Sequence, residues 1–249
     1  MSITVCTGFS PKGYEEYGKR FLETFEKYWP KEIGLNVYVE EPIPSDRARV
    51  VSLFECGGVG EFIERYKNDP NATGRKRNAL WKERHKDAPY NFRFDAVKFC
   101  RQCFIPRHTA RYLPDGDILV WLDADVVTFS TIPNRLIEDL LGDADISYLG
   151  RKNAHSEIGY WSVRLNSRTR SFLDAFAGIW ENDDVFCLSE WHSAFVFDYV
   201  RKMTPGLREN NLTPTGSAHV WFQTRLGDYT DHCKGNRKAL GFSPERNGK

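Results

Sequence analysis

No apolar run in the 249-residue chain approaches the roughly 18 residues that a bilayer crossing requires, so no membrane-spanning helix is expected. The N-terminus also lacks the pattern of a signal peptide and goes straight into a strand-like Ile3-Thr-Val-Cys6, from which folding in the cytoplasm is expected. Net charge is almost absent. Thirty-five Lys and Arg against 34 Asp and Glu leave +1, which by itself implies no partner. Internal repeats and low-complexity tracts are missing, as are the Gly-x-Gly-x-x-Gly and Gly-Lys-Ser/Thr phosphate loops. The six cysteines are scattered in a chain too large to need disulfide staples, so they are read as reduced thiols. Cys100 and Cys103 form one CxxC without the second pair or spaced histidines of a zinc site. They lie on a helical stripe, which makes them core thiols. What the chain does have, 41% hydrophobic and 14% aromatic residues, is ample for a globular core.

The organising stretch is Asp115-Gly-Asp-Ile-Leu-Val-Trp-Leu-Asp-Ala-Asp-Val-Val-Thr-Phe129. Ile118 to Leu122 follows a turn signal and is rich in large and β-branched side chains, the pattern of a strand buried on both faces of a parallel sheet. Its carboxyl end, where open α/β sheets bind ligands, carries Asp123 and Asp125. Unpaired ionised carboxylates are too costly to bury. A hard cation, Mg²⁺ or Mn²⁺, carrying the phosphate oxygens of a substrate would compensate them; the alternative is a solvated acidic loop.

Around this stretch, strand and helix patterns alternate. Ile3–Cys6 precedes a Thr7-Gly8-Phe9-Ser10-Pro11 turn and a helix carrying Tyr14, Tyr17, Phe21, Phe25 and Tyr28. Further strands are expected at Leu35–Val39, Val50–Phe54, Asp145–Leu149 and Ile158–Val163. Helices are expected from Asn91, near Asn134–Leu141, over Phe172–Trp180, and after Ser189, which would cap a helix with Glu190 and His192 in its first turn. The fold class is therefore α/β, one domain with a mostly parallel central sheet flanked by helices. Its two halves are 1–129, ending in the Asp-Ala-Asp turn, and 130–249, carrying the C-terminal His232 segment. Thr7, Gly8 and Phe9, beside the Asp-Ala-Asp turn, are candidates to touch a nucleotide, and Arg93 and Lys98 to reach the same site.

Two further segments carry charge. Residues 65–101 hold eleven Lys and Arg against four Asp and Glu, an excess of seven, so the remainder carries six negative charges. The Arg75-Lys76-Arg77 cluster, with Trp81, His85 and Tyr90 interleaved, reads either as a face for a polyanion such as DNA or as a solvated loop. Asp231-His-Cys-Lys-Gly-Asn-Arg-Lys238 combines an imidazole, a flexible Gly235 and cations. His232 could complete a metal shell with Asp123 and Asp125, while Lys234 and Lys238 neutralise a diphosphate; a basic surface tail is the alternative.

Gly13-Tyr-Glu-Glu-Tyr-Gly-Lys-Arg-Phe21, Trp121-Leu-Asp-Ala-Asp-Val126, His155-Ser-Glu-Ile-Gly159, Glu190-Trp-His192 and Asp231-His-Cys-Lys-Gly235, in this order over nearly the whole chain, resemble a known group. It is that of small phage-type glycosyltransferases among the metal-dependent nucleotide-sugar glycosyltransferases of the GT-A fold, with a glycogenin-like C-terminal histidine and lysine. In that group an Asp follows Glu-Trp-His; this chain has Ser193. The resemblance implies a GT-A fold, a uridine diphosphate sugar as donor, Asp123 and Asp125 at metal and ribose, His232 as metal ligand and Lys234 on the diphosphate. Were the chain phage-encoded, its cytoplasm would be the host's. If transfer inverts the anomeric carbon, a base must take the acceptor's proton; Glu190 is the first choice and Glu157 the second, with Asp125 also counted as catalytic. The favoured acceptor is a hydroxymethylated pyrimidine in DNA. The rivals are a saccharide or protein acceptor, a sugar-phosphate nucleotidyltransferase, and a nucleic-acid-binding protein that kept a degenerate transferase fold.

Overall fold

Ile118–Leu122 forms a strand in which all five residues are buried. Its two-residue period sends Leu119 and Trp121 into one hydrophobic cluster, and Ile118, Val120 and Leu122 into the other. A strand apolar on both faces has to lie mid-sheet, and this one does. In the computed structural model, which describes residues 1–75, 89–217, 219–244 and 246, the strands are β1 (Ile3–Phe9), β2 (Gly34–Val39), β3 (Arg49–Ser52), β4 (Ile118–Leu122), β5 (Val126–Thr128), β6 (Ile146–Leu149), β7 (Glu157–Arg164), β8 (Glu209–Asn211) and β9 (Thr230–His232). Seven of them form one sheet in the order β3-β2-β1-β4-β7-β6-β8, and β5 pairs with β9 in a small second sheet. Within the large sheet β7 alone runs against its neighbours, pairing antiparallel with β4 and β6. The mostly parallel α/β architecture expected from the sequence is the one that forms.

Helices cover both faces. Ser167–Glu181 begins at Asn166, whose side chain accepts from the amides of Arg168 and Thr169 at 2.9 and 3.0 Å. That cap satisfies two of the amides a helix start leaves unpaired. Phe172, Leu173, Phe176, Ala177 and Trp180 recur at helical spacing on its buried face, and Phe172 meets Trp161 of β7 edge-on at 6.1 Å. On the opposite face, Phe21 and Phe25 of the helical run 11–28, with Trp29 just past its end, join Trp221 against β1 and β4. This run widens into a π-helical stretch at Tyr14–Gly18, a distortion often found where side chains are re-aimed at a functional site. Cys100 and Cys103 are buried free thiols, as expected. None of the described helices is long and apolar enough to cross a membrane.

Three local expectations are corrected. Thr7, Gly8 and Phe9 are strand and not turn, because their pairing with Val37, Tyr38 and Val39 carries β1 through to Phe9. A Cβ on Gly8 would meet Ile105 at 2.6 Å and the Tyr38 carbonyl at 3.0 Å, so the glycine there answers a close approach. The helix expected from Asn91 starts later: Phe92–Phe94 is a 3₁₀ turn, and Asp95 caps Ala96–Phe99 by accepting from the Lys98 amide at 2.9 Å. Ser189 caps nothing. The Trp191 amide donates to the Arg93 carbonyl at 2.6 Å, which holds Glu190 and Trp191 in an extended approach, and the helix begins at Ser193.

Candidate functional site

β4 ends at Leu122, and Asp123 turns the chain toward β5. Asp123 is fixed from three sides: its amide donates to the Gly159 carbonyl at 2.8 Å, and its Oδ1 accepts from Trp121 Nε1 at 2.8 Å and Gln102 Nε2 at 2.7 Å. Three residues on, β5 begins and pairs with β9 so that Val126 faces His232. This clasp brings the imidazole to the aspartates. His232 Nε2 stands 3.0 Å from Asp125 Oδ1 and 3.3 Å from Asp123 Oδ2. Asp231 secures β9 by accepting from the amide and hydroxyl of Ser243, both at 2.6 Å. Lys238 Nζ reaches Asp125 Oδ2 at 3.1 Å and lies 4.3 Å from the centre of the Tyr17 ring.

The electrostatics follow from burial. For Asp125, desolvation would raise the carboxyl pKa, yet the neighbouring His232 and Lys238 hold it well below the usual carboxylate range. For His232, burial opposes the charged ring, but Asp125 above all raises its pKa. Both ring nitrogens are nevertheless buried without an aligned hydrogen-bond partner among the described residues. One ligand atom from each of Asp123, Asp125 and His232 falls within 4.8 Å of the others. Two carboxylate oxygens and an imidazole nitrogen suit a divalent cation such as Mn²⁺ or Mg²⁺, and the orphaned Nε2 is the observation that fits one here.

These residues border a cavity of about 860 Å³ at the carboxyl ends of β1 and β4. Of the residues singled out from the sequence, Gly8, Phe9, Arg93, Lys98, Asp123, Asp125, Glu157, Lys234, Gly235 and Lys238 line it. Thr7 does not, being fully buried in β1. His232 sits in the floor behind the two aspartates. Glu157 is buried beneath Lys234, which reaches its two oxygens at 2.6 and 2.7 Å, and Arg151 pairs with the same carboxylate. Glu190 is not among the lining residues; it is buried behind them, its Oε1 accepting from Arg93 at 2.6 Å and its Oε2 meeting His192 Nε2 at 2.8 Å.

No family model and no curated protein matches the chain. Solved structures similar to it include the apo form of mouse xyloside xylosyltransferase 1, at 11% identity, 92% coverage of each chain and a TM-score of 0.48. Another is a glycosyltransferase involved in glycosylation of the major capsid of PBCV-1, at 15% identity, covering 100% of this chain and 98% of that one, with a TM-score of 0.49. A third is the apo WbbM bifunctional glycosyltransferase, at 12% identity, where 85% of this chain aligns with 38% of the other at a TM-score of 0.47.

Several residues of the site escaped sequence reasoning. A Cβ on Gly159 would lie 2.5 Å from His232 Nδ1 and closer still to Cε1, so the imidazole packs directly on that backbone. A lone glycine among the large residues of β7 was the available signal. Gln102 bridges Asp123 to Ser193, whose hydroxyl donates to its Oε1; nothing in the spacing announced it. The basic stretch is less free than its composition implied. Arg65 pairs with Asp183, Lys67 with Glu64, Arg93 with Glu190 and Arg101 with Glu40. Tyr90 donates to Asp95 at 2.8 Å. Lys76, Arg77, Trp81 and His85 lie outside the described residues.

Proposed function

We propose that the chain is a metal-dependent glycosyltransferase that moves a sugar from a nucleoside diphosphate sugar to a hydroxyl acceptor. The observation that carries this reading is the convergence of Asp123, Asp125 and His232 with Lys234 and Lys238 at one wall of the cavity. Its volume lies within the roughly 300–1,000 Å³ of small-molecule sites. Asp123, Asp125 and His232 would hold Mn²⁺ or Mg²⁺, which when bound supplies a Lewis acid beside the phosphate oxygens.

The chain's own residues do the rest. Each lysine ammonium has three N–H donors, so Lys234 and Lys238 can keep their carboxylate partners and still donate to a diphosphate. Their charge offsets what builds on the departing phosphate, the interaction that usually contributes most to rate. Glu157 positions Lys234 and Arg151, and Gly235, at φ +58°, lets the chain reverse between the two lysines. Gly8, Phe9, Arg93 and Lys98 line the part of the cavity that would take the nucleotide. In this reading the half 1–129 serves the donor and the half 130–249 the acceptor, with β9 closing the site.

A panel of nucleotide sugars, uridine diphosphate sugars foremost, incubated with Mn²⁺ or Mg²⁺ and assayed for free nucleoside diphosphate and product mass, tests the reading. Turnover that disappears with chelator is expected. Failure to bind any nucleotide in the presence of either metal would remove the transferase. The acceptor divides two ways. The basic composition of 65–101 favours hydroxymethylated pyrimidine in DNA, gripped through its phosphates. Pairing of Arg65, Lys67, Arg93 and Arg101 within the fold favours a saccharide or protein hydroxyl. Modified DNA, plain DNA and glycans in the same panel separate them.

A further inference from the structure

The cavity has a second cluster of titratable side chains besides the aspartates. His155, Glu190 and His192 each offer a ligand-type atom within 4.8 Å of the others, and His155 and His192 line the cavity. Glu190 lies at the centre of the group. Its Oε2 meets His192 Nε2 at 2.8 Å and His155 Nε2 at 3.3 Å, while Arg93 binds Oε1 at 2.6 Å. Desolvation works against its charge, but the two imidazoles and the guanidinium hold its pKa well below the usual carboxylate range. A carboxylate so paired is a poor proton acceptor near neutrality. What it can do is fix each imidazole as the Nε2–H tautomer, leaving Nδ1 with its lone pair.

The two histidines differ in access. His192 is buried with Phe92 and Phe99 beside it, ring centres 5.5 and 6.0 Å away. His155 has a side chain 36% exposed and meets Phe195 edge-on at 5.3 Å. Its Nδ1 has no hydrogen-bond partner among the described residues; the nearest carboxylate oxygen, Asp198 Oδ2, is 4.0 Å off. That carboxylate is already held by the Ser156 amide and hydroxyl at 2.9 and 2.6 Å and by Arg201 at 3.1 Å. Asp198 thus leaves the Nδ1 lone pair of His155 unoccupied. The wall is also registered against the donor side, because Ser193, next to His192, is linked through Gln102 to Asp123.

We propose that His155 is the general base that deprotonates the acceptor, with Glu190 fixing its tautomer and orientation. The inference rests on the transferase reading and adds to it the identity of the base and the stereochemistry. The acceptor hydroxyl gives its proton to His155 Nδ1, and its oxygen's electron pair forms the bond to the anomeric carbon. The bond from that carbon to the diphosphate oxygen breaks, its electron pair leaving with the diphosphate. The exposed imidazole then returns the proton to solvent. A single displacement of this kind inverts the anomeric centre.

The test uses the full chain with the donor and acceptor that the panel selects. His155→Ala and His155→Gln should fold as wild type by circular dichroism and bind uridine diphosphate with Mn²⁺ within about twofold. Both should lose about 100-fold or more in kcat, in line with a general base's usual contribution. Added imidazole should restore part of the His155→Ala loss, and NMR should find the product inverted. Three results would each overturn the proposal: kcat within a few fold of wild type, retained configuration, or a second bound cation in wild type that His155→Ala releases. Wild-type protein that binds no nucleotide would sink the transferase reading and this inference with it, an outcome distinct from binding and turnover that ignore His155.

Discussion

Gly159→Ala puts the geometry of the aspartate–histidine cluster to a direct test, since it adds one methyl and no charge. The new Cβ would stand 2.5 Å from His232 Nδ1, whereas non-bonded heavy atoms settle at about 3.5–4.0 Å. The ring must therefore retreat by roughly 1 Å. It has little room, because it is fully buried and lies tilted at 53° to the ring of Trp221, centres 4.9 Å apart, and Trp221 Nε1 is itself tied to Thr230 at 2.9 Å. Metal–ligand distances tolerate only about ±0.2 Å, so the displaced Nε2 falls short of a cation held by Asp123 and Asp125. Loss of a supporting contact typically weakens metal binding about 10–100-fold, which is roughly 1.4–2.7 kcal/mol. Overpacking adds about 1–3 kcal/mol of destabilisation. Titration with Mn²⁺, followed by the electron paramagnetic resonance of the free ion, reads the first effect and urea denaturation the second. A folded Gly159→Ala protein that binds Mn²⁺ as tightly as wild type would refute the reasoning, because the imidazole could then not be a ligand seated on that backbone.

Lys238→Ala removes a charged donor near the proposed diphosphate, an interaction of about 1.5–3 kcal/mol; calorimetry should show uridine diphosphate binding weakened about 10- to 150-fold, and unchanged affinity would exclude Lys238 from the phosphate site. Asp145 is fully buried, and although burial alone would raise its pKa, hydrogen bonds from Arg208, Arg168 and Asn166 hold it well below the usual range. A carboxyl depressed in the folded state stabilises the fold above its unfolded pKa of about 3.9 and loses that contribution as pH falls toward the folded value. The stability gap between wild type and Asp145→Asn should therefore be widest near neutrality and narrow below about pH 4; a gap constant down to pH 2 would contradict the pairing. Phe172→Ala, in the core under β7, should cost about 3–5 kcal/mol in urea denaturation while leaving Mn²⁺ affinity intact in the folded protein, and a parallel loss of both would mean that core and site are not separable.

The central strand and its two carboxylates were legible because five apolar residues followed by Asp-Ala-Asp violate ordinary core composition, and only a bound charge or solvent explains the violation. His232, Lys234 and Lys238 were legible as chemistry, through residue type. Their placement was not, since it depends on three-residue strands, β5 and β9, that are too short to carry a periodic pattern. Thr7 and Gly8 were misread as a turn because a glycine needed for close approach resembles a glycine needed for a bend. Ser189 looked like a helix cap for a similar reason: local propensity was intact, but the bond from Trp191 to the Arg93 carbonyl keeps that segment extended. The tie from Ser193 through Gln102 to Asp123 joins three distant segments, and such a polar chain leaves no trace in linear spacing.

The β5–β9 clasp also sets an order of events during synthesis. A nascent chain translated only as far as β8 has its aspartates and its sheet, yet it lacks the imidazole that completes the trio. Ribosome-bound or prematurely stopped products would thus present two aspartates without the imidazole, and the trio would be completed in one step, when β9 pairs with β5.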